Sequence, residues 1–295
     1  MFQVYDRVID RRSLLKLLSC NGKVAQLMSQ GKGGPAERRC NMLMCCIMQR
    51  ATALKVEKSP EGLHAKALTL RAKGEYANAA ALLHQAIDSE HVPSHVVLAE
   101  ILLEGKKGVR SDQMRAFSLL EQGKRMGCND SNGLLALCFA CGMGCIKDTR
   151  QSLALAYVSA ANGCKYGIST LAMLSYFGDG GLEKNYKKAF ELFKMAAMKD
   201  YDLAQFWIGH MFTIGAGVSK DLVQALRWYK LVADQGHPTA LYEVGYAIQY
   251  SLGCEFDPIS RKEKAFFFLD AAASAGHSGA AELKRKLTHY CYGAQ

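Results

Sequence analysis

Residues 205–240, QFWIGHMFTIGAGVSKDLVQALRWYKLVADQGHPTA, contain the pattern of two helices joined by a glycine loop. Apolar side chains recur at helical spacing before the loop, and Gly215-Ala216-Gly217 then interrupts the helix with residues that tolerate positive φ. Asp221 stands where a second helix needs an N-cap, and an apolar stripe follows it. Gly236 and Pro238 end that second helix. The stretch therefore predicts a helix hairpin.

The hairpin pattern recurs along the chain every 36 to 38 residues. Five loop glycines mark the units: Gly105, Gly142, Gly178, Gly215 and Gly253. A small residue lies six positions before each glycine and a large one seven positions before it, which in the fifth unit are Ala247 and Tyr246. In the first four units a residue able to cap the second helix follows the loop: Asp112, Asp148, Asn185 and Asp221. This regularity predicts stacked copies of one hairpin, with the fifth copy a few residues longer.

The loop from Gly215 to Asp221, the following Ala225-Leu226-Arg227-Trp228-Tyr229 and the turn Gly236-His237 resemble the Sel1-like repeat nearly residue for residue. Five such units cover residues 96–280, and a further unit at residues 61–95 resembles the related tetratricopeptide repeat. The resemblance implies an all-α, right-handed solenoid of antiparallel helix hairpins. It also implies a scaffold or adaptor that binds protein partners to assemble or stabilise a multiprotein complex.

The composition agrees with this fold class. Hydrophobic residues make up 49% of the 295 residues and charged residues 22%, which is ordinary for a globular protein. The chain has five prolines, and no run of alternating β-branched residues bounded by turn residues predicts a strand. We therefore expect nearly all-helical structure.

The net charge of +10 is concentrated towards the N-terminus. Residues 1–60 carry eleven Lys and Arg against four Asp and Glu, whereas residues 61–280 carry 23 against 22. The repeats are therefore close to neutral. Residues 1–60 are expected to form a basic segment that caps the array, docks a partner or serves as a transit segment, and residues 281–295 to form a closing helix.

The basic segment also supports predictions of location. It is rich in Arg and poor in acids, as mitochondrial transit peptides are, although Asp6 and Asp10 fall in its first turns. Its apolar run at residues 42–48 is too short to cross a bilayer. The sequence therefore predicts a cytoplasmic or mitochondrial protein, in the matrix rather than the intermembrane space, that is not secreted and has no membrane span.

The basic segment leaves a second function open: a structural or assembly component of an organellar ribonucleoprotein. In that case the basic segment lies on RNA phosphates or meets an acidic partner, and the binding affinity falls steeply with salt. The residues predicted to make these contacts are basic: Arg7, Arg11, Arg12, Lys16, Arg38 and Arg39.

No motif in the chain predicts catalysis, so the expected function is non-enzymatic, with no cofactor and no metal. The strongest exception is Cys138-Phe139-Ala140-Cys141, which has a spacing found in metal and redox sites. However, Cys138 occupies the position that Leu174 and Met211 hold in other units, and no second pair of ligands stands at a matching spacing. Cys145 occupies the position of Val218 in the same way, so we interpret Cys138 and Cys145 as small hydrophobic residues of a packed interior.

The functional surface is expected to be a groove along the first helices of the units, which line the concave side of such solenoids. Carrying over the groove positions of the tetratricopeptide repeat selects mainly apolar and aromatic residues: Leu137, Met173, Tyr176, Phe206, Trp207, His210 and Ile248. Such a groove suits a helix or an extended peptide of a protein partner. The alternative for Phe206 and Trp207 is that they pack between neighbouring units.

Overall fold

The computed structural model describes residues 58–106, 108–254, 256 and 258–292, and this part of the chain holds thirteen helices and no strand. The helices are α1 (Pro60–Ala72), α2 (Tyr76–Asp88), α3 (Val92–Glu104), α4 (Gln113–Arg125), α5 (Asn129–Cys141), α6 (Thr149–Ala161), α7 (Lys165–Phe177), α8 (Tyr186–Ala197), α9 (Asp202–Ile214), α10 (Leu222–Ala233), α11 (Pro238–Gln249), α12 (Pro258–Ser274) and α13 (Ser278–Tyr292). They pair in order as hairpins, α1 with α2 through α11 with α12, and α13 follows. The predicted all-α solenoid of helix hairpins is confirmed.

In each of the first four Sel1-like hairpins, the second helix begins at the predicted N-cap residue. The side-chain oxygen of Asp112 accepts a hydrogen bond from the Arg115 N–H at 2.9 Å, and Asn185 accepts one from Lys188 at 2.9 Å. Asp148 and Asp221 each accept two N–H bonds at 3.0 Å from the first turn of their helices. Each cap satisfies donors that the helix itself leaves unpaired.

The first helices end on a residue with positive φ, and this corrects the predicted register of the fifth unit. Gly105, Gly142, Gly178 and Gly215 hold that position with φ between 64° and 76°. In the fifth unit Ser251 holds it, with φ of 54°, and not Gly253. The Leu252 N–H bonds to the Ala247 carbonyl as the Ala216 N–H bonds to Met211. The prediction that Gly253 is the first loop glycine is therefore wrong by two residues.

Gly253 instead belongs to a second row of loop glycines: Gly144, Gly180, Gly217 and Gly253. A Cβ on any of them would overlap the carbonyl oxygen of the first residue of the preceding second helix, which for Gly217 is Tyr186 and for Gly253 is Leu222. The loop of one hairpin thus rests against the start of a helix in the hairpin before it. This contact explains why the second glycine recurs at intervals of 36 or 37 residues.

A small residue in each first helix lets the second helix approach, as predicted for the first four units. A Cβ on Gly209 would lie 2.9 Å from the Tyr229 ring, so the aromatic side chain fills this space. With the corrected register, the small residue of the fifth unit is Gly245, which faces Leu269 in the same way. The large residue beside it is Val244, fully buried, whereas Tyr246 is 37% exposed. The assignment of Ala247 and Tyr246 to these positions was therefore wrong.

All thirteen helices belong to one compact unit that begins at Pro60. The hairpin predicted within residues 61–95 is present as α1 and α2, with Ala67, Ala79 and Leu83 fully buried between them and their neighbours. Its assignment to the tetratricopeptide type stays a prediction. The closing helix α13 begins at Ser278 and buries Ala280, Leu283 and Leu287 against the last hairpin.

Candidate functional site

Two hairpins that are not neighbours touch each other through their first helices. The Tyr166 hydroxyl, at the start of α7, donates a hydrogen bond to Glu100 Oε1 of α3 at 2.6 Å, across the hairpin that separates them. Arg71 of α1 holds the other oxygen of Glu100 at 2.6 Å. Glu100 belongs to the first Sel1-like unit and Tyr166 to the third. In a curved stack of hairpins, units that are not neighbours can reach each other on the inner side of the curve. We call the side of the first helices that carries Glu100 and its equivalents the inner face.

The N-terminal part of the inner face is charged. Glu104 pairs with Lys106, and 42% of its side chain remains accessible to solvent. Burial by the surrounding helices nevertheless raises the pKa of Glu104. The ammonium of Lys106 opposes this effect, and the nearby carboxylates of Asp202 and Glu100 add to it. A carboxylate of α9 thus lies within electrostatic reach of α3, which again shows how closely this side of the stack is drawn together.

Two buried tyrosines form the floor beside these charges. Tyr166 and Tyr201 meet edge to face, with ring centroids 5.1 Å apart, and they are 5% and 7% exposed. The Lys165 ammonium lies 5.2 Å from the Tyr166 centroid and 5.7 Å from the Tyr201 centroid. Burial raises the pKa of both phenols, with the carboxylate of Glu100 as the next cause. Both side chains are therefore neutral structural elements and not bases.

The middle of the inner face is aromatic. Trp207 of α9 stacks on the buried Phe193 of α8, with centroids 5.4 Å apart and planes inclined by 6°. Tyr176 and Phe177 of α7 lie against the same tryptophan at 5.1 and 5.8 Å, and His210 lies 5.5 Å from it. Burial lowers the pKa of His210, so the neutral imidazole is favoured in this cluster.

Of the seven residues predicted to line a groove, six are half-buried: Leu137, Met173, Tyr176, Phe206, Trp207 and His210. Phe206 stacks on His237 with centroids 5.6 Å apart, and Trp207 stacks on Phe193, so both take part in packing between units. Each half-buried side chain keeps one side towards solvent. Whether any of them contacts a partner stays a prediction.

Ile248 does not line an accessible surface, since it is 1% exposed and packs in the core of the last hairpin. The physical reason is the shift of two residues in the fifth unit. Counted from Ser251, the residue equivalent to His210 is Tyr246, which is 37% exposed. Choosing the loop glycine as the reference point therefore selected a core residue in place of a surface tyrosine.

The prediction also missed one row of the inner face. One turn after Glu100 and its equivalents, each first helix presents an exposed side chain directly before the residue with positive φ. We call this set the inner row: Glu104, Cys141, Phe177, Ile214 and Tyr250. Phe177, Ile214 and Tyr250 are 49%, 50% and 51% exposed. The sequence signal was available, because apolar residues precede the end of the helix in unit after unit.

Six cysteines whose side chains the structure describes are free thiols: Cys128, Cys138, Cys141, Cys145, Cys164 and Cys254. Cys138 is fully buried, which confirms its interpretation as part of the interior. Burial raises the pKa of the Cys138 thiol to about 12, with the neighbouring Cys145 as a smaller cause. The Cys145 thiol donates to the Cys138 carbonyl at 3.5 Å. A buried thiol with so high a pKa is a poor nucleophile and a poor metal ligand.

Across the described ranges, no group of three or more His, Cys, Asp or Glu side chains is placed to hold a metal ion. Within the same ranges, no helix combines the length and the apolar character needed to cross a bilayer. The basic residues predicted to contact RNA, from Arg7 to Arg39, lie outside the described residues. Their role therefore stays a prediction.

The five Sel1-like hairpins correspond to a known family. The Sel1 repeat matches residues 93–128, 130–164, 167–201, 202–237 and 238–277, which is more than half of the chain. A fission yeast protein, chitin synthase regulatory factor 3 of Schizosaccharomyces pombe, is 32% identical over 137 residues. That match covers 45% of this chain but only 14% of the yeast protein, so the chain corresponds to a small part of this relative.

Solved structures share the fold. A Sel1 repeat protein from Oxalobacter formigenes is 24% identical, with a TM-score of 0.50 over 73% of this chain and 86% of that one. The protein c5321, a protective antigen of uropathogenic Escherichia coli strains with an SLR fold, is 25% identical, with a TM-score of 0.51 over 94% of this chain and 58% of that one. Since each matched stretch of this sequence holds one first helix and one second helix, the chain belongs to the Sel1 repeat family.

Proposed function

We propose that this protein is a non-enzymatic scaffold or adaptor, and that its inner face holds a segment of a protein partner so that a multiprotein complex assembles. Sel1 repeats are generally non-catalytic and serve protein interaction. The regulatory role in the name of the fission yeast protein belongs to that protein. Cytoplasm or mitochondrial matrix is the compartment that fits this role and the sequence.

The observation that carries the proposal is the inner row. Four consecutive repeats expose Cys141, Phe177, Ile214 and Tyr250 at the same position, and the three larger side chains are about half exposed. Fully burying a large apolar side chain is worth about 1.5–3 kcal/mol, so covering the exposed half of each of these side chains in an interface is worth about half of that. Apolar side chains aligned over successive helices form a continuous surface, which marks interaction sites on soluble proteins.

The aromatic cluster beneath the inner row supports the same role. Trp207 and Tyr176 hold each other and Phe193 in fixed positions, so the row above them is rigid before a partner arrives. A preformed surface loses little side-chain entropy on binding. We propose an extended or helical peptide segment as the partner, because the row is long and narrow.

The test compares two double variants of the full chain, tagged and isolated from its native cells. Phe177→Glu with Ile214→Glu places charge in the inner row. Met195→Glu with Leu231→Glu changes side chains of similar exposure, 52% and 45%, on the second helices α8 and α10. Each variant is checked by circular dichroism and thermal unfolding, and stoichiometric co-purifying proteins are identified by mass spectrometry with and without nuclease.

We expect the inner-row variant, Phe177→Glu with Ile214→Glu, to lose a specific protein partner. The control variant, Met195→Glu with Leu231→Glu, should retain that partner, and nuclease treatment should have no effect. Equal retention by both variants would overturn the inner row as the binding surface. Release by nuclease in all samples would instead favour the ribonucleoprotein alternative. Loss of a homodimer by the inner-row variant, measured by light scattering on purified protein, would show that a second copy occupies the surface.

A further inference from the structure

Three tyrosines form a stripe along α11 and the residue that follows it, at the C-terminal end of the inner row. Tyr242, Tyr246 and Tyr250 follow each other at helical spacing, with ring centroids 6.1 Å and 4.6 Å apart. Tyr242 stacks on His277 with centroids 4.3 Å apart and planes inclined by 17°, which fixes the base of the stripe. Tyr246 and Tyr250 remain 37% and 51% exposed. Both rings are therefore partly accessible to a partner.

Glu243 flanks this stripe without a counter-ion among the described residues. It is half-buried, and burial alone raises its pKa, since no cation is close enough to oppose that effect. Lys284 pairs with Asp270, and Lys286 pairs with Glu282 within electrostatic reach of Tyr242 and Tyr250. A half-buried carboxylate without a partner is costly, so its presence calls for a reason other than folding.

Comparison with the preceding repeat shows that packing does not require an acid here. Counted from the residue with positive φ, Glu243 is equivalent to Trp207, whose ring stacks on the buried Phe193. The fifth unit thus has a carboxylate where the fourth has an aromatic packing residue. Charge and exposed ring faces together are the two features that hold a cationic side chain, because the ring face is electron-rich and the carboxylate neutralises the charge.

We propose that Glu243, with Tyr246 and Tyr250, recognises an Arg or Lys side chain of the partner segment, next to apolar residues of that segment that pack on Ile214 and Phe177. This inference rests on the proposed function and adds the chemistry of the partner. Arginine fits best, since its planar guanidinium both stacks on a ring and bonds a carboxylate through two N–H groups.

The order of the repeats predicts the order of the partner's residues. Phe177 lies at the end of α7, Ile214 at the end of α9 and Tyr250 directly after α11. We therefore expect two apolar residues followed by an Arg, in either chain direction, with the apolar residues over Phe177 and Ile214 and the Arg over Tyr250.

The experiment selects binders from a displayed library of random 12-residue peptides against the full chain. Three proteins are used in parallel: the natural sequence, Glu243→Gln, and Glu191→Gln, which makes the same change at an exposed position of α8. The best peptide is then synthesised with its Arg and with norleucine in that place, and binding to all three proteins is measured by fluorescence polarisation.

We expect Arg or Lys to be enriched at a fixed distance from apolar residues with the natural protein and with Glu191→Gln, but not with Glu243→Gln. The affinity for the peptide should fall about tenfold when either Glu243 or the peptide Arg is replaced. Replacing both should lower the affinity little further, since the two groups act as one pair. Tyr250→Leu, at a half-exposed position that the core does not need, should weaken the Arg peptide more than the norleucine peptide.

Selected peptides without a basic residue, or equal affinity for Glu243→Gln and the natural protein, would overturn this inference. If the selected peptides nevertheless failed to bind the variant Phe177→Glu with Ile214→Glu, the proposed function would stand without the role assigned to Glu243. If the inner-row variant bound them as well as the natural protein does, the proposed function would fail instead.

Discussion

Tyr166 and Glu100 are joined across the one hairpin between them by a hydrogen bond of 2.6 Å, although 66 residues separate them in sequence. Arg71 holds the second oxygen of the same carboxylate at 2.6 Å. Glu100 thus ties α1 and α7 to α3, and 11% of its side chain is accessible. In a solenoid, where each hairpin otherwise contacts its neighbours, this link couples the first, second and fourth hairpins of the array.

Tyr166→Phe removes one donor to Glu100 and leaves the ring in place. We expect a loss of about 1–2 kcal/mol in the free energy of unfolding, because the buried carboxylate loses a hydrogen bond to a neutral group but keeps Arg71. Urea unfolding followed by circular dichroism measures this. Tyr157→Phe, on an exposed ring of α6, is the control and should change stability by less than about 0.5 kcal/mol. Equal effects of the two changes would mean that the link contributes nothing.

Asp200→Gly is expected to stabilise the protein. Asp200 has φ of 53° at the turn where other units have Gly127, Gly163 and Gly236. A non-glycine residue in this region costs about 1–2 kcal/mol, and glycine loses about 0.5–1 kcal/mol more than other residues in backbone entropy. The net gain should be about 0.5–1 kcal/mol in urea unfolding. The control Asp234→Gly, at φ of −63°, should destabilise instead.

Sequence reasoning succeeded where structure depends on a few adjacent residues. The caps Asp112, Asp148, Asn185 and Asp221 were identified because a cap bonds to N–H groups two or three positions ahead of it. It failed at Ser251, because positive φ is easily recognised from glycine and hidden when serine adopts it. The bond from Tyr166 to Glu100 had no local signal, since it depends on how successive hairpins rotate relative to each other.

Acid should destabilise the junction between α1 and α3. His64 Nδ1 and His91 Nδ1 lie 3.0 and 2.8 Å from the buried Ser94 Oγ, and the two rings are 4.7 Å apart. Burial lowers the pKa of His64, and the proximity of His91 lowers it further. A base whose folded pKa lies below its unfolded value of about 6.5 contributes stability above that pH. This stability is lost as pH falls below it.

We therefore expect the urea midpoint of the natural protein to be lower at pH 5.5 than at pH 7.5. His64→Gln keeps a group that can bond to Ser94 but cannot take up a proton, so its midpoint should fall less between the two values. Burial lowers the pKa of His237 and His210 in the same direction, so part of the dependence should persist. An identical fall in the variant would show that His64 does not contribute.

Trp207 and Phe177 separate the structural role of the inner face from its binding role. Trp207→Ala removes the ring that stacks on Phe193, so we expect a loss of about 2–4 kcal/mol, somewhat below the cost for a fully buried aromatic residue. Phe177→Ala removes a ring that is 49% exposed and should cost less than about 1.5 kcal/mol.

Binding should show the opposite order once both variants are measured where each is folded. Phe177→Ala removes an exposed anchor and should weaken the partner or a selected peptide about tenfold, since anchors of this type supply most of the affinity of an interface. Trp207→Ala at low temperature should retain binding if its role is to support the row. If instead Trp207→Ala abolished binding while its unfolding free energy stayed unchanged, the tryptophan would be a direct contact, as the sequence pattern first indicated.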